Sequence, residues 1–272
     1  MNRSILALSA LSLATLSTPA AAAWGDHLTV AAQWTHDLSA ANNKYGSPSE
    51  VWYVGSDLHV NAECGGFVSE LMKASYPLLD DDVMSALMDD DTSDTNPWSS
   101  PDSAHWYDAI TDQVSVTVGG QSIGLSRLTD IDDVETGDIL ASVYTSAGAS
   151  GHTMVIRRMP TTYTLVTTTI PGYSGVQVER YAIQVLDSTQ SVHLNQTGST
   201  DSRYMHDVDS LGHTVNDTGM GTGDLLLYAD HSSGAIIGWT WNTIQSTAYQ
   251  GTDAGASNYR PIVAGRFVGT GI

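Results

Sequence analysis

The chain has one cysteine, Cys64, among 272 residues. That excludes an internal disulfide framework and leaves either a reactive thiol, an intermolecular bridge or a small buried hydrophobe. Basic residues are also scarce: 10 Lys and Arg stand against 30 Asp and Glu, a formal charge of −20. Such a field repels nucleic acid and anionic membrane surfaces. Beyond the amino-terminal segment, no run is long and apolar enough to cross a bilayer. No His-Glu-x-x-His occurs, and His206-Asp207 with His213 lacks a recognised ligand spacing, so zinc catalysis is not expected. The short Gly221-Thr222-Gly223-Asp224 reads as a turn before a strand, lacking the features of a phosphate loop.

Residues 1–23 have the pattern of a secretory signal peptide. Arg3 opens it, residues 5–16 are apolar, and Ala20 to Ala23 offer small residues for cleavage after Ala23. Residues 24–272 are then expected as one soluble exported domain, periplasmic or secreted, with a core over about 50–190 and a β-rich extension over 191–272. Asp80-Asp81-Asp82 reads as a solvated helix start and Asp89-Asp90-Asp91 as a loop, neither as a calcium site. Asn195 and Asn216 match the glycosylation acceptor pattern.

Helical spacing is present over 28–38, 64–76 and 82–88, and a further helix is expected from Ser100-Pro101 to Ile110, with serine as cap. Residues 42–49 read as a loop. After residue 112 the period changes. Val114, Val116 and Val118 alternate into Gly119-Gly120, a hairpin signal, and strands are expected at 138–144, 152–158, 163–169, 176–186, 224–228, 235–241 and 261–267. Helices first and strands after indicate an α+β fold with an antiparallel sheet. Trp98, Trp106, Trp239 and Trp241 can line a groove, although core packing is the simpler reading.

Cys64 opens the 64–76 helix, where unpaired N–H groups favour a thiolate. Gly65 and Gly66 leave space for a substrate backbone, and the same N–H groups can hold an oxyanion. A cysteine hydrolase also needs a base and a group that orients it. His152, at the mouth of a strand, is the expected base, and Asp187, at the end of another, the expected orienter; each also has an ordinary strand-end or turn reading.

Glu63-Cys64-Gly65-Gly66-Phe67-Val68 resembles the Asp-Cys-Ser-Gly-Phe-Val nucleophile motif of the NlpC/P60 family, which are cell-wall cysteine peptidases and amidases. Thr136-Gly137-Asp138-Ile139-Leu140 resembles that family's Gly-Asp-Leu strand entry, and Gly151-His152-Thr153-Met154-Val155-Ile156 is similar to its Gly-His-Val-Gly-Ile-Tyr strand. The order is kept over about residues 50–190. Gly65 and Glu63 depart from the pattern, and the gap after His152 is long, as a hairpin inserted around 160–175 explains.

The resemblance implies a papain-like fold, a Cys64–His152–Asp187 triad, no cofactor, and peptidoglycan stem peptides or another peptide as substrate. It also implies an oxyanion-assisting tyrosine upstream of the cysteine, for which Tyr45 and Tyr53 both qualify. Tyr53, Arg203 and His193 are the expected substrate-binding residues, with Arg203 clamping a substrate carboxylate and Arg157 or Arg158 as second choice. The alternative is a secreted binding or structural protein on an inactive papain-like scaffold, in which Cys64 would be inert.

Overall fold

A computed structural model describes residues 24–88, 101–144, 151–193, 201–203, 207–208, 214–215, 218–251 and 253–269. The signal-peptide segment, the Asp89–Asp91 run, Trp98, Ser100, His206, His213, Asn195 and Asn216 lie outside them. The fold is α+β, with few helices and a large antiparallel sheet.

Helix α1 (Asp26–Asp37) buries His27, Ala31 and Trp34 on one stripe. Its successor is a three-stranded sheet that the sequence pattern did not disclose: β1 (Leu38–Lys44), β2 (Glu50–Val54) and β3 (Asp57–Asn61), in the order β1-β3-β2. The strand β1 occupies part of the expected loop, because Asn43 locks it in place. Its side-chain amide donates to the Met220 carbonyl at 2.7 Å and accepts from the Met220 N–H at 2.8 Å.

Helix α2 (Cys64–Ser75) buries Phe67, Val68, Leu71 and Met72, and ends where Pro77 forces Tyr76 into extended conformation. Helix α3 (Asp81–Met88) is capped by Asp80, whose carboxylate accepts the Val83 N–H. Helix α4 (Ser103–Asp112) starts later than expected. Asp102 is its cap, accepting from the Ala104 and His105 N–H groups, and Pro101 precedes the cap.

The large sheet takes up the remainder of the chain. In sequence it comprises β4 (Ser115–Val118), β5 (Gln121–Leu128), β6 (Ile139–Val143), β7 (Gly151–Arg158), β8 (Thr164–Thr167) and β9 (Gln177–Thr189). The short pair β10 (Asp207–Val208) and β11 (Thr214–Val215) stands apart, and β12 (Gly219–Asp230), β13 (Ile236–Trp239), β14 (Tyr249–Gln250) and β15 (Ile262–Gly269) complete it. The order is β14-β13-β12-β9-β7-β6-β15-β5-β4, with β8 added on β9 as a hairpin that pairs Thr164 with Arg180 and Thr167 with Gln177. The carboxy-terminal residues are therefore no extension. Strand β12 runs the full length of β9, and β15 lies between β6 and β5. The Gly221–Asp224 segment is part of β12, not a turn.

Each face of the sheet has its own core. Ile139, Ala141, Val155 and Leu186 meet the helices through Phe67, Leu71, Trp106 and Ile110. Leu140, Met154, Ile156 and Val185 pack with Leu225, Leu227 and Trp239 on the other face. The sheet curls so that β13 returns towards the β15 end, where the Trp239 indole donates to the Arg260 carbonyl at 3.0 Å. Asp138, at the entry of β6, takes a two-pronged hydrogen bond from Arg266 on β15, at 2.7 and 2.9 Å.

His27 joins the helices to this sheet. Its Nε2–H donates to the Gly137 carbonyl at 2.9 Å, and its Nδ1 accepts from the Tyr76 hydroxyl at 2.7 Å. The Nδ1 bond, in which the ring accepts, requires neutral imidazole, and burial holds the group down at about 4. The unfolded chain therefore binds a proton first. The stability from neutral His27 is complete above pH 6.5 and is lost as pH falls towards 4, by about 3 kcal/mol in all. Urea denaturation of wild type and His27→Gln between pH 7 and 4.5 should show a steeper loss in wild type.

Candidate active site

The first turn of α2 is built for close packing. A Cβ on Gly65 would lie 2.5 Å from the Pro101 carbonyl oxygen and 2.8 Å from the Asp102 carbonyl carbon. This glycine therefore admits the α4 entry and leaves no space for a substrate backbone. That approach places Ser103, the first residue of α4, beside Cys64: Oγ and Sγ are 3.1 Å apart. The Thr153 hydroxyl donates to Ser103 at 3.0 Å, so the Ser103 proton is free for the sulfur. Gly151 serves the same packing, since a Cβ there would lie 1.9 Å from the Ser142 carbonyl oxygen and 3.0 Å from Ser103 Cβ.

His152 enters on β7 beside Cys64, close enough that each side chain shifts the other's protonation. Its Nε2–H donates to Asp187 Oδ2 at 2.5 Å, which leaves Nδ1 for the sulfur. The register explains the meeting: Val155 of β7 pairs with Leu186 of β9, one residue before Asp187. Burial pushes the Cys64 thiol up, but hydrogen bonding and charge from His152, then Ser103 and the Thr153 N–H, bring it below the ordinary thiol range. Burial also opposes charge on His152, and Asp187 and Cys64 overcome it, raising the imidazole to about 9. Both shifts favour the thiolate–imidazolium pair over the neutral one.

Behind Asp187 stands a buried polar layer that sequence reasoning assigned to substrate. Asp187 Oδ2 also accepts from His193 Nε2 at 2.9 Å, and Asp187 Oδ1 takes Arg203 Nη1 at 2.7 Å. Arg203 continues to Asp201 through Nε and Nη2, both at 2.9 Å, and the Asp201 carboxylate takes the His193 N–H at 2.6 Å. His193 Nδ1 donates to the Trp241 carbonyl, so both its ring nitrogens are spent on oxygen acceptors. Burial penalises the Asp187 charge, yet Arg203 and His193 hold the carboxyl well below its ordinary range.

Gly221 and Gly223 on β12 make room for this layer, since a Cβ would lie 2.5 Å from Arg203 Cγ or 2.6 Å from His193 Cβ. Two expectations are thereby corrected. Arg203 is 2 % exposed and His193 fully buried, so neither reaches a substrate.

Tyr53 is exposed on β2, and its hydroxyl donates to Asp37 at 2.9 Å. Tyr45, which follows β1, lies near Cys64; burial, then the Cys64 and Glu63 charges, push its phenol up. Arg157 and Arg158 are also exposed, Arg157 donating to Gln184 at 3.1 Å.

A cleft of about 330 Å³ opens on His152, lined by Tyr45, Tyr144, Trp241, Tyr249 and Arg260 among others. Trp241 stacks on His193 with centroids 4.2 Å apart and sets its edge on His152 at 4.8 Å. Of the tryptophans considered for a groove, Trp241 lines one, while Trp106 and Trp239 are core. Another cleft of about 390 Å³ lies beside α2, where Lys73 pairs with Glu70 and Asp81; neither cysteine nor histidine lines it.

His152, Asp187 and His193 bring ligand-type atoms within 4.8 Å of one another, a grouping that invites a metal reading. It does not fit a divalent ion. The carboxylate oxygen that would face the ion already accepts N–H bonds at 2.5 and 2.9 Å, and Arg203 supplies the neighbouring positive charge.

The chain matches no family model, no curated protein and no solved structure. Tyr144 and Arg260 carried no signal in the sequence and Ser103 little, because each reaches the site from a segment distant in the chain. Ser103 alone had a trace: it follows Pro101-Asp102, a helix start.

Proposed function

We propose that this protein is a cysteine hydrolase acting on amide bonds, with Cys64 as nucleophile, His152 as acid and base, and Asp187 as orienting residue. The observation that carries the reading is the Cys64 sulfur at a helix start, beside an imidazole that lowers its thiol and whose Nε2 is fixed by a buried carboxylate.

The Cys64 thiolate attacks the carbonyl carbon, and the resulting oxyanion is received by the Cys64 backbone N–H and the Tyr45 hydroxyl. Collapse breaks the C–N bond, and His152 Nδ1 gives its proton to the leaving amine. A thioester remains. Neutral His152 then takes a proton from water as the hydroxide adds to the thioester carbonyl, and the carboxylic acid leaves while Cys64 and His152 return to thiolate and imidazolium. Asp187 keeps Nε2 protonated throughout. Ser103 donates to the sulfur while Thr153 holds its oxygen.

The papain-like, NlpC/P60-type reading of the fold rests on the three motifs around Cys64, Asp138 and His152. It carries with it peptidoglycan stem peptides as substrate and an exported protein.

Iodoacetamide labelling near neutral pH is the direct test. A nucleophile in this setting should react well above the rate of an ordinary protein thiol, and His152→Ala should lose that excess. A slow Cys64 would mean an inert scaffold. Mass spectrometry of cell-wall digests, with wild type and Cys64→Ala side by side, tests the substrate: new amine and carboxyl ends should appear with wild type alone.

A further inference from the structure

In a chain of charge −20, Arg260 is placed unlike the other described basic residues. Its guanidinium carbon lies 4.2 Å from the Tyr144 ring centroid and 4.0 Å from that of Tyr249. Both tyrosines line the cleft that opens on His152, as does Arg260 itself. Among the described residues, its side chain makes no ion pair and no hydrogen bond, whereas Lys73, Arg203 and Arg266 each meet two carboxylates.

Stacking on aromatic rings uses the π surface of a guanidinium and leaves its in-plane N–H groups for a ligand. Those donors form a fork that matches a carboxylate in two parallel hydrogen bonds. The rings also restrict the side chain before the ligand arrives, which reduces the ordering that binding requires.

We propose that Arg260, held by Tyr144 and Tyr249, is a carboxylate-binding subsite of the cleft. It selects amide substrates with a free carboxylate a few bonds from the scissile carbonyl, such as acylated amino acids or peptides cleaved near their carboxyl end. The proposal rests on Cys64 being the nucleophile of a hydrolase, and it replaces the role first given to Arg203. The surrounding charge gives the subsite its importance, because an anionic substrate is otherwise repelled by this protein.

The test compares alkylation of Cys64 by iodoacetate and by neutral iodoacetamide. In Arg260→Gln the ratio of the two rates should drop about tenfold relative to wild type, the loss expected for one charge-assisted contact. Arg127→Gln, which removes an equal charge from an exposed strand position, should leave the ratio unchanged. A ratio preserved in folded Arg260→Gln, or lowered as far by Arg127→Gln, overturns the subsite.

Calorimetry on Cys64→Ala gives a second reading that needs no change at Arg260. Hippurate, with an amide and a free carboxylate, should bind at least about tenfold tighter than its neutral amide, hippuramide. Equal affinity overturns the proposal. Slow alkylation of wild type by both reagents would instead remove the nucleophile, and the calorimetry would still decide whether the cleft takes a carboxylate.

Discussion

His152→Ala is expected to reduce kcat by about 10⁴-fold or more, and Cys64→Ala by at least as much, with the double variant no worse than either. In the proposed mechanism the two side chains act as one unit, so removing either is expected to remove the whole function. The thiol owes its lowered value chiefly to His152, against the effect of burial. Without the imidazole, burial wins and the thiol stays protonated near pH 7. Proton delivery to the amine is lost at the same time.

The pH dependence follows with definite sign. Wild-type kcat/KM should rise as pH climbs through the lowered Cys64 value and fall as His152 loses its proton near pH 9. Steady-state rates with an amide substrate, supported by circular dichroism of each variant, check all of this. Retention of more than about one hundredth of wild-type kcat in His152→Ala would assign the base elsewhere.

Local chemistry was legible in the sequence wherever one segment carried its own explanation. Cys64 announces itself as a lone cysteine at a helix start, and the 64–75 helix is written in Phe67, Val68, Leu71 and Met72. His152 and Asp187 could be picked out as strand-end polar residues, and the β-structure after residue 112 followed from its alternation.

Partners set by long-range register were not legible. Nothing near Arg203 says that Asp187 faces it; that follows from β12 lying against β9, with Gly221 opposite Asp187. The glycines of that strand read as a turn, because a glycine that admits a neighbouring side chain looks the same in sequence as one that bends the chain. Tyr53 and Tyr45 differ by eight positions in a segment with weak periodicity. Only the Asn43 clamp on Met220, which anchors the end of β1, places Tyr45 by the sulfur. Scarcity of cations drew attention to Arg203, yet a scarce cation is as useful inside the protein as at its surface.

That relocation of Arg203 changes what its removal should do. A residue clamping substrate would raise KM and spare kcat. Arg203 instead neutralises Asp187 and Asp201 in a layer with almost no solvent, so Arg203→Met leaves two buried carboxylates without their cation. Breaking one side of such a pair costs about 3–5 kcal/mol. Arg203→Met should therefore lose stability on that scale in urea denaturation, and in the folded fraction kcat should fall while KM hardly moves.

Asp187→Ala removes the acceptor common to His152, His193 and Arg203, and should match or exceed that stability loss. Its kcat should decline by about 10²- to 10⁴-fold, less than for His152→Ala, since Asp187 orients the base and makes no bond to substrate. The activity profile separates this from mere damage. Asp187 opposes the burial that would pull His152 down, so without it the alkaline limb must move below pH 9. Asp187→Asn, which keeps the shape but not the charge, should show the same displacement with a smaller loss of stability. An alkaline limb fixed at pH 9 in both folded variants would mean that another group holds His152, and an Arg203→Met enzyme altered only in KM would return that arginine to the substrate.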